Sequence, residues 1–204
     1  MSLTSTNSRA DRLADEGHTS EDHANESRLI ERSKADPQAF AVLYQRHYRA
    51  VAGCIYRRTG DVHVTEDLAA DTFISAYRAI GPFRAGRVPI RFWFLRIATN
   101  TVNRWSRAQR RVARHREEST AADSARADPS SQAEIVRCVR EGVARLALAH
   151  QAVLSLHYFE SLSIEEIAAV LGCRVGTVKS RLSRARESLK ATLTERGEPY
   201  GSEP

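Results

Sequence analysis

The sequence predicts an all-α protein made of two small helical domains joined by a flexible linker. Three observations carry this. Apolar residues recur at spacings of three and four from Arg28 onward, with no strand-like alternation. The stretch 113–132, ARHREESTAADSARADPSSQ, has almost no large apolar side chain and ends in a Pro-Ser-Ser turn, so it divides the chain as a tether. Beyond it, residues 159–189, FESLSIEEIAAVLGCRVGTVKSRLSRARESL, read as a helix-turn-helix.

Taken in order, residues 1–26 are rich in Ser, Thr, Asp, Glu and Asn and are expected to be disordered. His18 and His23 lie there without partners at metal spacing. Asp36 and Pro37 form an N-cap and first-turn pair that opens a helix with Phe40, Leu43, Tyr44, His47, Val51 and Ile55 on one side, closed by Gly60 and Asp61. The next helix is predicted from about 64–66 to Ile80. Leu68, Phe73, Ala76, Tyr77 and Ile80 are its expected core, and Glu66, Asp67 and Asp71 form an acidic edge. Gly81 and Pro82 stop it, and FRAGRVPI at 83–90 has no hydrophobic period, which makes it a basic loop. A long helix over 91–111 buries Phe94, Ile97, Ala98, Thr101 and Trp105, with Trp93 divided between core and surface. After the tether, Ile135, Val136, Val139, Val143 and Leu146 mark one helix, and Val153, Leu154 and Tyr158 another. The boundaries are therefore 1–26 extension, 27–112 first domain, 113–132 linker, 133–196 second domain and 197–204 tail.

The helix-turn-helix carries its own punctuation. Ser163 and Glu166 make a capping box for a helix from Ile164, which Gly172 ends. The following helix aligns Val175, Val178, Leu182, Ala185 and Leu189 in one apolar stripe. Ser180 and Arg184 point the other way, with Thr177, Arg181 and Ser183 beside them and Lys179 and Arg186 at the rim. Short polar side chains and Arg facing base edges, with cations along the edge for phosphates, are what a helix in the major groove requires.

Charge placement agrees. The formal net charge is +6, from 28 Arg and 3 Lys against 25 acids. The window 84–116 holds ten Arg and no acid, and 174–186 holds four Arg and one Lys. Two basic blocks in separate parts of the chain imply two contacts with a polyanion. Cys54, Cys138 and Cys173 lack any CxxC spacing, which points to a reducing cytoplasm. No apolar leader or membrane-length run is present, so a soluble intracellular protein without membrane insertion is expected. The sequence has no paired carboxylates in an apolar cleft pattern, no GxSxG, no phosphate loop and no metal spacing. It therefore offers neither an enzyme site nor a cofactor site.

The four stretches DPQAFAVLYQRHY, EDLAADTFISAYRAI, FWFLRIATNTVNRWSRAQRR and LSIEEIAAVLGCRVGTVKSRLSRARESL, in this order, resemble the sigma-70 family of bacterial RNA polymerase sigma factors, extracytoplasmic-function group. The resemblance covers nearly all of 28–193. It implies a promoter-specificity subunit that binds core RNA polymerase at the clamp of the largest subunit and the flap of the second. Glu66, Asp67, Leu68, Asp71 and Phe73 match the clamp-docking surface. Arg84, Arg87, Arg91, Arg96, Asn100, Asn103, Arg104 and Arg107 match the elements that open the promoter −10 element and hold its non-template strand, a task that needs cations along a single strand and a pocket for an unstacked base. Ser180, Ser183 and Arg184 match −35 base-reading positions, and Thr177, Lys179, Arg181 and Arg186 match backbone contacts. Family members are often held by an anti-sigma protein.

Several positions depart from the family pattern. Ala70 stands where Gln is frequent, Asn103 replaces a frequent Asp, FWFL replaces the usual aromatic order, and Ser161 replaces a turn Gly. Ala147 and Leu148 stand where a Pro commonly breaks the chain, so the helix from Ala133 is expected to run on further. The alternative is a free-standing helix-turn-helix regulator. Such a protein usually dimerises on a palindrome, whereas the first domain here offers an Arg-rich loop and helix instead of an apolar dimer face.

Overall fold

The computed structural model describes residues 20–86, 88–117 and 132–194, all of their regular structure being helical. The helices are α1 (Ser20–Ser33), α2 (Pro37–Thr59), α3 (Val62–Ala79), α4 (Ile90–Glu117), α5 (Gln132–Arg145), α6 (Leu148–Tyr158), α7 (Ile164–Leu171) and α8 (Val175–Thr194).

Local chemistry sets most of the ends. The Asp36 carboxylate accepts from the Gln38 N–H at 2.9 Å with Pro37 in the first turn, and Gly60 closes α2 in the left-handed region at φ +69°. Asp61 belongs to the next helix and not to the end of the last one: its side chain accepts from the Val64 N–H, so α3 starts two residues earlier than apolar spacing suggests. Ser163 Oγ accepts from the Glu166 N–H at 3.1 Å, and Glu166 Oε2 accepts from the Ser163 N–H at 2.7 Å, completing the capping box of α7.

Five expectations are corrected. Helix α1 begins at Ser20, inside the stretch expected to be disordered, because Ile30 buries to 3 % exposure and Glu26 approaches His47 and Arg46 on α2; residues 1–19, including His18, lie outside the described residues. Helix α4 continues through Glu117, six residues past its expected end, and 118–131 of the proposed linker lie outside the described residues. Helix α5 stops at Arg145 despite the missing proline. Gln151 Nε2 and Arg110 Nη2 both donate to the carbonyls of Ala144 and Leu146, and these acceptors satisfy the helix end without a covalent breaker. Tyr77, expected in the core, is 46 % exposed. Trp105 is only half-buried.

Helices α1–α4 enclose one core around Phe94, which is fully buried and lies 5.2 Å from Phe73 and 6.4 Å from Phe40, ring to ring. Val51, Ile55, Leu68, Ala98 and Val102 complete it. The second core gathers Val153, Leu156, Leu162, Ile167, Val178 and Leu182 from α6–α8. It also takes in Cys54 of α2 and Leu95 of α4, both essentially buried, so the two helical units pack directly against each other.

Candidate nucleic-acid interface

The helix-turn-helix builds an exposed polar and cationic face by burying the opposite one. Val178, Leu182 and Ala185 are at most 3 % exposed, which fixes the rotation of α8 and leaves Lys179, Ser180, Ser183, Arg184 and Arg186 in solvent. Ser180 Oγ donates to the Thr177 carbonyl, and Ser183 Oγ donates to Glu187 Oε1 at 2.8 Å. With their protons used within the helix, both hydroxyls offer lone pairs outward, suited to accept from base amino groups. Arg186 Nε donates to the Tyr158 hydroxyl at 2.8 Å, and its guanidinium lies over that ring. Tyr158 thus sets the direction of a rim cation, a role that helical spacing alone did not reveal. Arg181 is corrected: it is half-buried and lines the cleft between the two units beside Cys173, so it does not sit on the exposed face.

The first unit supplies a different kind of surface. Loop residues Phe83 and Arg84 and helix residues Phe92, Trp93 and Arg96 wall an open cavity of about 340 Å³, with Ala169 of α7 on its far side. The Phe83 and Trp93 rings lie 4.9 Å apart. Aromatic faces with guanidinium groups at the rim are the chemistry that a planar ring with an adjoining phosphate requires. Phe83 is a member that sequence reasoning missed, since a lone aromatic in a loop has no periodicity to read. Asn103 accepts from Arg58 Nη2 at 2.6 Å, and Arg91 Nη2 donates to Glu160 Oε2 at 3.2 Å. Arg96, Asn100, Asn103 and Arg107 line a cleft of about 230 Å³ that faces α6 and α7. Arg104 is exposed. Arg87 lies outside the described residues.

On α3, Glu66, Asp67 and Asp71 are exposed, but Leu68 and Phe73 are 6 % and 3 % exposed and belong to the core. These two residues present no surface. The apolar member of that face is Ile74, 48 % exposed and one turn beyond Ala70 and Asp71. Among the described residues no group of three or more His, Cys, Asp or Glu is placed to hold a metal, and no helix is long and apolar enough to cross a membrane.

Fold and site together define an all-helical DNA-binding protein with one helix-turn-helix and a second, separate cationic surface. Comparison with known proteins is specific. The family description "Sigma-70 region 2" matches residues 43–112, and "Sigma-70, region 4" matches 137–189. The chain is 35 % identical over 181 residues to the RNA polymerase sigma-H factor of Pseudomonas aeruginosa, covering 82 % of this chain and 93 % of that protein. It is 33 % identical over 176 residues to the ECF RNA polymerase sigma-E factor of Haemophilus influenzae, covering 79 % and 92 %. Among solved structures it is similar to CnrH in complex with the cytosolic domain of CnrY, with a TM-score of 0.60 at 28 % identity, covering 83 % of this chain and 97 % of that one. The chain belongs to the sigma-70 family of RNA polymerase sigma factors, in its extracytoplasmic-function group.

Proposed function

We propose that this sigma factor selects bipartite promoters through two contacts that are each weak and that core RNA polymerase holds at a fixed spacing. The observation that supports this is the division of labour between the units. Helix α8 offers an exposed face suited to duplex, and α4 with the loop before it offers an aromatic pocket edged by Arg84 and Arg96. In this scheme Ser180, Ser183 and Arg184 read −35 base edges while Lys179 and Arg186 hold phosphates. The −10 non-template strand runs along Arg84, Arg96, Asn100, Asn103, Arg104 and Arg107, with one unstacked base in the cavity beside the contacting Phe83 and Trp93 rings. Linking two modest sites raises overall affinity without any new contact, provided both are engaged at once.

Glu66, Asp67, Asp71 and exposed Ile74 form the face for the polymerase clamp, and the second unit docks on the flap. The protein works in the cytoplasm, is not an enzyme and uses no cofactor. An anti-sigma partner fits the same scheme, and the similar CnrH structure holds a protein partner, the cytosolic domain of CnrY. A free-standing regulator is disfavoured by membership of the family and by the second cationic surface.

The test is run-off transcription with bacterial core polymerase on sheared DNA of the source genome. Discrete starts that appear only with this protein and share a bipartite upstream motif are expected. Binding of particular fragments by the protein alone, without such starts, would refute the scheme.

A further inference from the structure

We infer that Arg58 is a positioning residue for −10 recognition: it holds the Asn103 side chain by its oxygen, leaves only N–H donors for DNA, and so makes Asn103 select a base that carries a keto oxygen. This rests on the promoter scheme above.

Arg58 stands in the last turn of α2 and Asn103 in the middle of α4. Arg58 Nη2 donates to Asn103 Oδ1 at 2.6 Å. A guanidinium carries five N–H donors and no acceptor, so the atom of Asn103 that meets it has to be the carbonyl oxygen. Both N–H bonds of Asn103 Nδ2 are left for another partner, and among the described residues no acceptor takes them. Asn103 lines a cleft with Arg96, Asn100 and Arg107 of the same helix, and no carboxylate stands among the lining residues. The partner this amide lacks is therefore an acceptor.

Arg58 itself would be better compensated by an acid. Its Nε and Nη1 are buried with no hydrogen-bond partner among the described residues. Burial first, and then nearby Arg110, lowers its pKa to about 10, the sign of a cation short of a counter-charge. Asp at position 103 would supply that charge, but a carboxylate offers acceptors alone. The neutral amide leaves the cation less satisfied and presents two donors at a fixed orientation.

Arg96, Arg104 and Arg107 are exposed on α4 and available for phosphates, which leaves the held amide for a base edge. The keto oxygens of G and T accept where the amino groups of A and C donate, so a side chain that only donates separates the two pairs.

The test uses holoenzyme formed by the full chain with core polymerase. Its probe is fork-junction DNA from a promoter found by run-off transcription, with each non-template −10 position set in turn to G, A, T and C. One position with a preference of roughly fivefold or more for G or T is expected. Asn103→Asp should turn that preference toward A or C and, by pairing with Arg58, raise the urea midpoint of the free chain. Arg58→Lys, whose ammonium also only donates, should keep the preference. Arg58→Gln, which can offer either oxygen or nitrogen, should let the amide turn over and remove most of it, at unchanged helix content by circular dichroism. A merely structural role makes Lys and Gln equivalent, so equal selectivity in those two variants would overturn the positioning role. A loss of binding by Asn103→Asp that is uniform across the four bases would mark a phosphate contact and overturn base selection. A lowered urea midpoint for Asn103→Asp would overturn the hold of Arg58 on position 103. That variant keeps the test available should the Arg58 variants fold poorly. Failure of the promoter scheme reads differently: Asn103→Ala, Arg104→Ala and Arg107→Ala would all leave holoenzyme binding unchanged. Failure of positioning alone would leave Asn103→Ala altering the preference and Arg58→Gln without effect.

Discussion

Leu182 and Arg184 are two residues apart on α8 and occupy opposite sides of the helix, so substituting each by Ala separates folding from reading. Leu182 is 3 % exposed in the second core. Truncation removes roughly three buried carbons at about 0.8 kcal/mol each, and the cavity left behind raises the total loss to about 3 kcal/mol. Arg184 is exposed, and its removal should leave stability within about 0.5 kcal/mol of the original. Its expected cost lies in discrimination: about 1–3 kcal/mol at one −35 base pair, or roughly 5- to 150-fold in relative affinity. Urea unfolding of the full chain gives the first quantity. The second comes from holoenzyme binding to promoters that differ at single −35 positions. Arg184→Ala should flatten the preference at one position and leave the others intact, while Leu182→Ala should weaken binding at every promoter in proportion to the unfolded fraction. Equal selectivity before and after Arg184→Ala, or a stability loss matching that of Leu182→Ala, would refute the orientation assigned to α8.

Three further outcomes are expected. Phe94→Ala, at the centre of the first core, should cost about 3–5 kcal/mol of stability; half-buried Trp93→Ala should cost less and instead abolish open-complex formation, detected by permanganate footprinting of the −10 region. Ser161 is the described non-glycine residue with positive φ, +53°, so Ser161→Gly should raise stability by about 0.5–1 kcal/mol in thermal melts, left-handed backbone being costly for any side chain. The Cys54 thiol is pushed from its ordinary 9.0 up to about 11, first by burial and then by the Glu160 charge. The native state therefore holds this proton more tightly than the unfolded chain, and the associated stability is whole below pH 9 and falls as pH rises toward 11. Arg58, lowered to about 10, acts in the opposite direction and is half titrated at that value, so it offsets part of the loss. Between pH 9 and 10 the original chain should thus lose stability relative to Cys54→Ala, the gap between the two changing by about 1 kcal/mol over the interval.

The helices and their punctuation were legible in the chain because the signals are local. Asp36-Pro37, the Ser163–Glu166 box, Gly60 and Gly172 act within a turn or two, and the Val178–Leu182–Ala185 stripe follows from the pitch of one helix. The exposed polar face of α8 came with that stripe, since burying one side of a helix exposes the other. The motifs also sufficed for the family. What the sequence left undecided is who faces whom. Leu68 and Phe73 sit among the acids of α3, and only the approach of α2 and α4 settles that they are core while Ile74 is surface. Arg181 shares a helix with Arg184, yet the neighbouring unit turns it into a cleft. Glu160 carries no motif at all. Its partner Arg57 lies 103 positions away, and the pairing exists only because two cores, each specified by its own short-range pattern, meet across α2, α4 and the turn before α7. Periodicity and capping act over one or two helical turns, whereas an ion pair between domains depends on how finished surfaces dock, which no single stretch of sequence encodes.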